Sequence, residues 1–296
     1  MWAEWRPAER LLNIAGAQIP VRDSLHDHAR PPVVLLHGLS MTADSCWHGT
    51  YQRLATRHRV VAFDLRGHGS GLPVEGQFSL DACADDVLAV ADALGLGRFV
   101  AVGYSIGGLI AQTLWHRDRQ ALRGLVLGAT AHYPLTPVEW ALRAAPVMGM
   151  RWRRGLTARP VGPPVAAAEY LLRSISDPEI RADVARQSHI EPWVFASALQ
   201  AAAKFDARPW IGSVDVPTAV VITTRDSVII PWRQRALASA IPGATTHALR
   251  AGHLAPIRHP HRLARAIVSA CDSVVVTRRA NDQPPQLPVS GGGCDA

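Results

Sequence analysis

The chain has 296 residues, of which 48% are hydrophobic, and a formal net charge of +7. That length holds one large α/β domain with an insertion, or two small domains, and that hydrophobic share excludes wholesale disorder. No apolar run reaches the ~18 residues of a membrane span. The arginines are scattered, the densest group being Arg151, Arg153 and Arg154, so no nucleic-acid footprint is expected.

The N-terminal MWAEWRPAER mixes charges and lacks an apolar core before a small-residue cleavage site, so it does not read as a signal peptide. Leu11–Ile14 and Gln18–Arg22 flank Ala15-Gly16-Ala17 and predict an edge hairpin. Val33–Leu36 is a short apolar run ending in His37-Gly38, the pattern of a strand buried on both faces. A helix is predicted over Asp44–Arg57, then a second buried strand over Arg59–Phe63, closed by Asp64 and a glycine-rich turn. Ser79 caps the next helix, with Asp81 in its first turn, and Gly95 and Gly97 stop it. Phe99–Gly103 is a third strand, turning directly into a helix over Ile106–Arg117, and Leu122–Leu127 is a fourth strand. This alternation predicts a parallel sheet with right-handed crossovers.

From about His132 to Arg208 the rhythm breaks into amphipathic helical stretches separated by prolines. Strands resume at Thr218–Thr223 and Thr245–Leu249, with helices near Trp232–Ala240 and Pro260–Ser273. A helical block inside a continuing sheet reads as a cap. The expected organisation is a core of residues 1–131 and 209–277, a cap of residues 132–208, and a disordered tail of residues 278–296, rich in Pro and Gly. Cys46, Cys83, Cys271 and Cys294 stand at neither metal-site nor redox-motif spacing. This usage fits a reducing compartment, so a cytoplasmic protein is expected. His259-Pro260-His261 is a weak metal signal and reads as surface; no metal ligand set is assigned.

The chemical signal is Gly103-Tyr104-Ser105-Ile106-Gly107, where a buried strand meets a helix. A nucleophile on so tight a turn needs small residues two before and two after it. The turn also sets Ser105 at a helix N-terminus, whose free amides favour developing negative charge. Serine needs a base. His253 follows the last strand and so lies at the same sheet edge. Asp226 follows Thr218–Thr223 at that edge and would fix the tautomer of the base. The stretch after Leu122–Leu127, Gly128-Ala129-Thr130-Ala131, offers no competing carboxylate. The oxyanion donors are the amides of Ile106 and Leu39, with Gly38 allowing close approach and His37 bracing the loop.

Four segments in order, VVLLHG (Val33–Gly38), VVAFDLRGHGSG (Val60–Gly71), VAVGYSIGGLIAQ (Val100–Gln112) and Asp226…AGHLAPIRHP (Ala251–Pro260), carry a resemblance. The chain resembles the α/β-hydrolase fold, in its capped serine esterase, lipase and haloperoxidase-like group. The resemblance implies a Ser105–Asp226–His253 triad and a structural role for Asp64, Arg66 and His68; with neither G-x-G-x-x-G nor a P-loop in the sequence, no cofactor is expected. Two positions depart from it: Arg258 stands where an acidic residue is frequent, and Pro231 comes one residue late after the acid. Dehalogenases and epoxide hydrolases of this fold carry aspartate at the elbow, so Ser105 implies acyl transfer. The expectation is hydrolysis of a small-molecule carboxylic ester, with lactones and thioesters as variants. An acyltransferase in which an alcohol replaces water, C–C bond hydrolysis by the same triad, and a non-catalytic receptor are the alternatives. Trp140, Met148, Tyr170, Trp193 and Leu254 are the candidate lining of an apolar acyl pocket. A homodimer is compatible with the sequence.

Overall fold

In the computed structural model, residues 5–25, 28–133 and 190–276 are described. They form one eight-stranded sheet in the order β1-β2-β4-β3-β5-β6-β7-β8. The hairpin β1 (Ala8–Ile14) and β2 (Ala17–Asp23) is antiparallel and joins β4 (Val60–Phe63) antiparallel. From β4 onward, through β3 (Val33–Leu36), β5 (Phe99–Tyr104), β6 (Leu122–Gly128), β7 (Thr218–Thr223) and β8 (Thr245–Leu249), every pairing is parallel. The expected α/β fold with a mostly parallel sheet is therefore what forms.

Period-2 alternation sends the strand side chains into two cores. Val34, Leu36, Phe99 and Ala101 meet α2 (Leu80–Ala93) and α3 (Ile106–Arg117) on one face. Val33, Leu35, Val100 and Val102 meet α1 (Ala43–Ala55) on the other. Strands covered on both sides are mostly apolar, and β3, β4, β5 and β7 are buried at every position. β8 alternates because it is the edge.

Helix α1 starts one residue before the sequence suggests. Thr42 is its cap, and Thr42 and Ser45 form a reciprocal capping box that satisfies two orphan backbone donors. Ser79 caps α2 as expected, accepting from the Ala82 amide. The last described helices are α4 (Pro192–Lys204), α5 (Pro231–Ala240), the short α6 (Ala255–Arg258) and α7 (Pro260–Val276). Pro231 opens α5 at a position where its missing N–H costs nothing.

Most of the expected cap lies outside the described residues, as do the tail and Trp140, Met148 and Tyr170. The last helix of that stretch, α4, buries Val194 and Ala198 in the α2–α3 core, and its Ser197 hydroxyl accepts from the Phe78 amide at 2.8 Å. No helix among the described residues is long and apolar enough to cross a membrane.

The chain leaves β3 toward β4 on one side and returns to β5 on the other. In an open parallel sheet, the crevice beyond such a switch point is where ligands bind. The loops beyond β3 and β5 carry Gly38 and Ser105.

Candidate active site

Ser105 sits between β5 and α3 with φ 56° and ψ −116°. Left-handed φ costs a non-glycine residue about 1–3 kcal/mol. The neighbours hold it there: the Ser105 amide donates to the Gly128 carbonyl, and its own carbonyl accepts from Gly108, both at 2.9 Å. A Cβ at Gly103 would strike the Gly107 carbonyl, and one at Gly107 the Leu36 carbonyl. Both elbow glycines are therefore required by space.

His253 Nε2 lies 2.9 Å from Ser105 Oγ, and its Nδ1 lies 2.8 Å from Asp226 Oδ2. The side chain of Asp226 is fully buried and that of His253 is 14% exposed. With a carboxylate at Nδ1, the Nδ1–H donates to Asp226. This leaves the Nε2 lone pair for the serine proton. The structure thus brings together the three side chains that the sequence singles out.

Asp226 is held on every side. Its Oδ1 accepts from the amides of Val228 and Ile229 at 2.8 and 2.9 Å. Thr223 Oγ1 lies 2.7 Å from Oδ2. The amide of Gln234 is oriented by its own contacts. Its Oε1 accepts from the Thr223 amide at 2.9 Å, and its Nε2 lies 2.8 Å from Thr223 Oγ1 and 2.5 Å from the Ile229 carbonyl. The Gln234 N–H therefore donates to the Thr223 hydroxyl, whose proton goes to Asp226. Burial pushes the Asp226 carboxyl upward, but His253, Thr223 and Val228 outweigh it and hold its pKa below the ordinary carboxylate value.

Sequence reasoning missed Thr223, Gln234 and Tyr104. The Tyr104 hydroxyl donates to the His253 carbonyl at 2.8 Å, tying the elbow strand to the base loop. Thr223 closes the strand that the acid follows, which was its one legible signal; Gln234 and Tyr104 left none.

Gly38 lies against Ser105: a Cβ there would sit 3.6 Å from Ser105 Cβ. Among the described residues, neither the Leu39 nor the Ile106 amide donates to a backbone carbonyl. His37 braces this loop, accepting from the Leu65 amide at Nε2 (2.9 Å), so that Nδ1–H donates to the Gly38 carbonyl (2.8 Å). Burial lowers its pKa to about 4, so it is neutral at pH 7. Asp64 accepts from the Ala43 and Ser70 amides, and Arg66 forks onto Asp86. Both join elements, and neither lies in the Ser105–His253–Asp226 hydrogen-bond network.

Among the candidate pocket residues, Leu254 is partly buried against the Tyr104 side of the core. Trp193, on α4, is 50% exposed. Cavities of about 320 and 480 Å³ open elsewhere and include none of Ser105, Asp226 and His253.

The alpha/beta hydrolase family model matches residues 33–266. The chain is 26% identical over 243 residues to 3-oxoadipate enol-lactonase 2 of Acinetobacter baylyi, covering 80% of this chain and 87% of that one. It superposes on the enol-lactonase of Burkholderia xenovorans LB400 with a TM-score of 0.74 at 25% identity, covering 89% and 100% of the two chains. A thermophilic esterase from Thermogutta terrifontis gives 0.70 at 26% identity, covering 90% and 99%. With the family model spanning most of its length and both glycines of its elbow sterically required, the chain belongs to the alpha/beta hydrolase family.

Proposed function

We propose that the protein hydrolyses carboxylic esters, lactones included, through an acyl-enzyme on Ser105. The observation that carries this reading is the unbroken hydrogen-bond chain Ser105–His253–Asp226. As Oγ attacks the substrate carbonyl, its proton passes to His253 Nε2. Asp226 stabilises the imidazolium. The carbonyl oxygen becomes an oxyanion, received by the amides of Leu39 and Ile106, each worth about 3–4 kcal/mol of barrier. The imidazolium then protonates the leaving alkoxide, which departs as an alcohol, or stays tethered when the substrate is a lactone. Water, deprotonated by His253, attacks the acyl-enzyme and releases the acid and free Ser105. Ester and water balance every step.

The similarity to enol-lactonases and to an esterase supports esters and lactones as the substrate class. A helical cap of residues 132–208, with Trp140, Met148, Tyr170, Trp193 and Leu254 lining an apolar acyl pocket, extends the reading to medium or bulky apolar acyl groups on a small-molecule substrate. A p-nitrophenyl ester series in which acetate is strongly preferred would overturn that extension.

The core reading is tested by fluorophosphonate labelling followed by an ester and lactone panel. Covalent labelling at Ser105 is expected, together with loss of turnover in Ser105→Ala. Turnover that survives in Ser105→Ala would refute it.

A further inference from the structure

The net charge is concentrated in one place. Between residues 225 and 271 there are seven arginines, no lysine or glutamate, and Asp226 as the one carboxylate. This stretch supplies six of the seven net positive charges. It folds as the loop after β7, helix α5, the edge strand β8, the base loop, and helices α6 and α7. Asp226 is buried and committed to the triad, so it neutralises nothing at the surface.

Arg225, Arg235 and Arg250 are exposed, and none pairs with a carboxylate among the described residues. Arg225 and Arg250 lie on adjacent loops, because the Arg225 amide donates to the Ala251 carbonyl at 3.0 Å. Arg235 stands three residues after Trp232 on α5, so the two share a helix face. Trp232 is 50% exposed and Val228 40% exposed. Arg262 and Arg265, exposed on α7, extend the positive field on the far side of the β8 edge.

We propose that this rim, Arg225, Val228, Trp232, Arg235 and Arg250, docks the protein on an anionic lipid surface beside the mouth of the Ser105 site. Arginines among exposed apolar side chains suit a bilayer interface. The guanidinium groups meet anionic headgroups, the indole sits at headgroup depth, and the aliphatic tip reaches below. A nucleic acid or an acidic protein would use the arginines and leave Val228 in water. Docking there would present apolar esters from the lipid phase to the site, and it does not depend on the catalytic reading.

The test is co-flotation of the full chain, wild type and Ser105→Ala, with phosphatidylcholine vesicles with and without phosphatidylglycerol. Both proteins should float with anionic vesicles only, and high salt should release them. The triple variant Arg225→Gln/Arg235→Gln/Arg250→Gln should lower partitioning on the order of 100-fold, and Trp232→Ser several-fold. Circular dichroism should match wild type, since these side chains are exposed. Equal binding to neutral and anionic vesicles would overturn the proposal. So would absence of binding, or binding of polyglutamate or short duplex DNA without binding of vesicles.

Discussion

Replacing Thr223 with valine keeps the shape of the side chain and removes one hydroxyl. Asp226 would keep the two backbone amides and His253 but lose the 2.7 Å bond at Oδ2. The Gln234 N–H that donates to that hydroxyl would face a methyl group. A hydrogen bond to a buried charge is worth about 1.5–3 kcal/mol, so we expect about 2 kcal/mol of lost stability at neutral pH. The sign with pH follows from the lowered Asp226 pKa. Such a carboxylate contributes stability above its unfolded pKa, and the contribution disappears as pH falls through its folded value. The gap between wild type and variant should therefore be full at neutral pH and close in acid. Catalysis should respond in a different direction. A carboxylate with one donor fewer concentrates its charge on the imidazolium, so the acid limb of the kcat/KM profile should move to higher pH. Relaxed orientation of the base should lower kcat/KM about 10-fold, equivalent to 1.4 kcal/mol. Thr223→Ser should restore both. A variant whose melting temperature falls while limb and kcat/KM stay at wild-type values would show that Thr223 only packs and does not tune the base.

Tyr104→Phe removes the bond to the His253 carbonyl and should reduce kcat by about 10-fold with KM nearly constant, since the lost contact orients the base; steady-state kinetics on one good ester would show it. Gly107→Ala drives a Cβ into the Leu36 and His37 carbonyls and should cost about 3 kcal/mol or more, read by urea unfolding; a variant of wild-type stability would mean the elbow has room the structure does not show. His37, with a folded pKa of about 4 against about 6.5 unfolded, takes up protons later than the unfolded chain does. Stability should fall as pH drops from about 6.5 toward 4, by about 2 kcal/mol at pH 5 relative to pH 8 from this residue alone. His68, lowered to about 3 by burial and by His37, adds to the same loss. A flat urea midpoint across that range would contradict both.

The fold was legible because two-sided burial leaves a plain mark: four-residue apolar runs such as Val33–Leu36, each ended by a polar or glycine turn. That Ser105, Asp226 and His253 come together was legible because each follows such a run, so all must stand at one sheet edge. What escaped were contacts with no periodicity. Tyr104 to His253 spans 149 residues and is set by how two loops close over the sheet. Gln234 reads as an ordinary helical residue until α5 is docked against β7. The helix start at Thr42 was missed because its capping partner is a serine, where the readable pattern has glutamate or glutamine. The concentration of arginines between 225 and 271 was present in the sequence but scattered along it. Only folding turns that spacing into a rim and an edge.

The supports around Ser105 and His253 explain why so few side chains suffice. The strained serine is fixed by backbone bonds to Gly128 and Gly108, and the base loop by Tyr104 and by the Arg225–Ala251 bond. The carboxylate takes two more amides from its own loop. Gly128 and Tyr104 end parallel strands, and Arg225 and Ala251 lie two residues beyond two others. A shift of one strand end relative to its neighbour would carry nucleophile or base with it and open the 2.9 Å contact between them. The substitutions most damaging to activity should therefore include ones that never touch substrate, at Gly103 and Gly107 of the strand–helix turn, where a Cβ would meet backbone carbonyls.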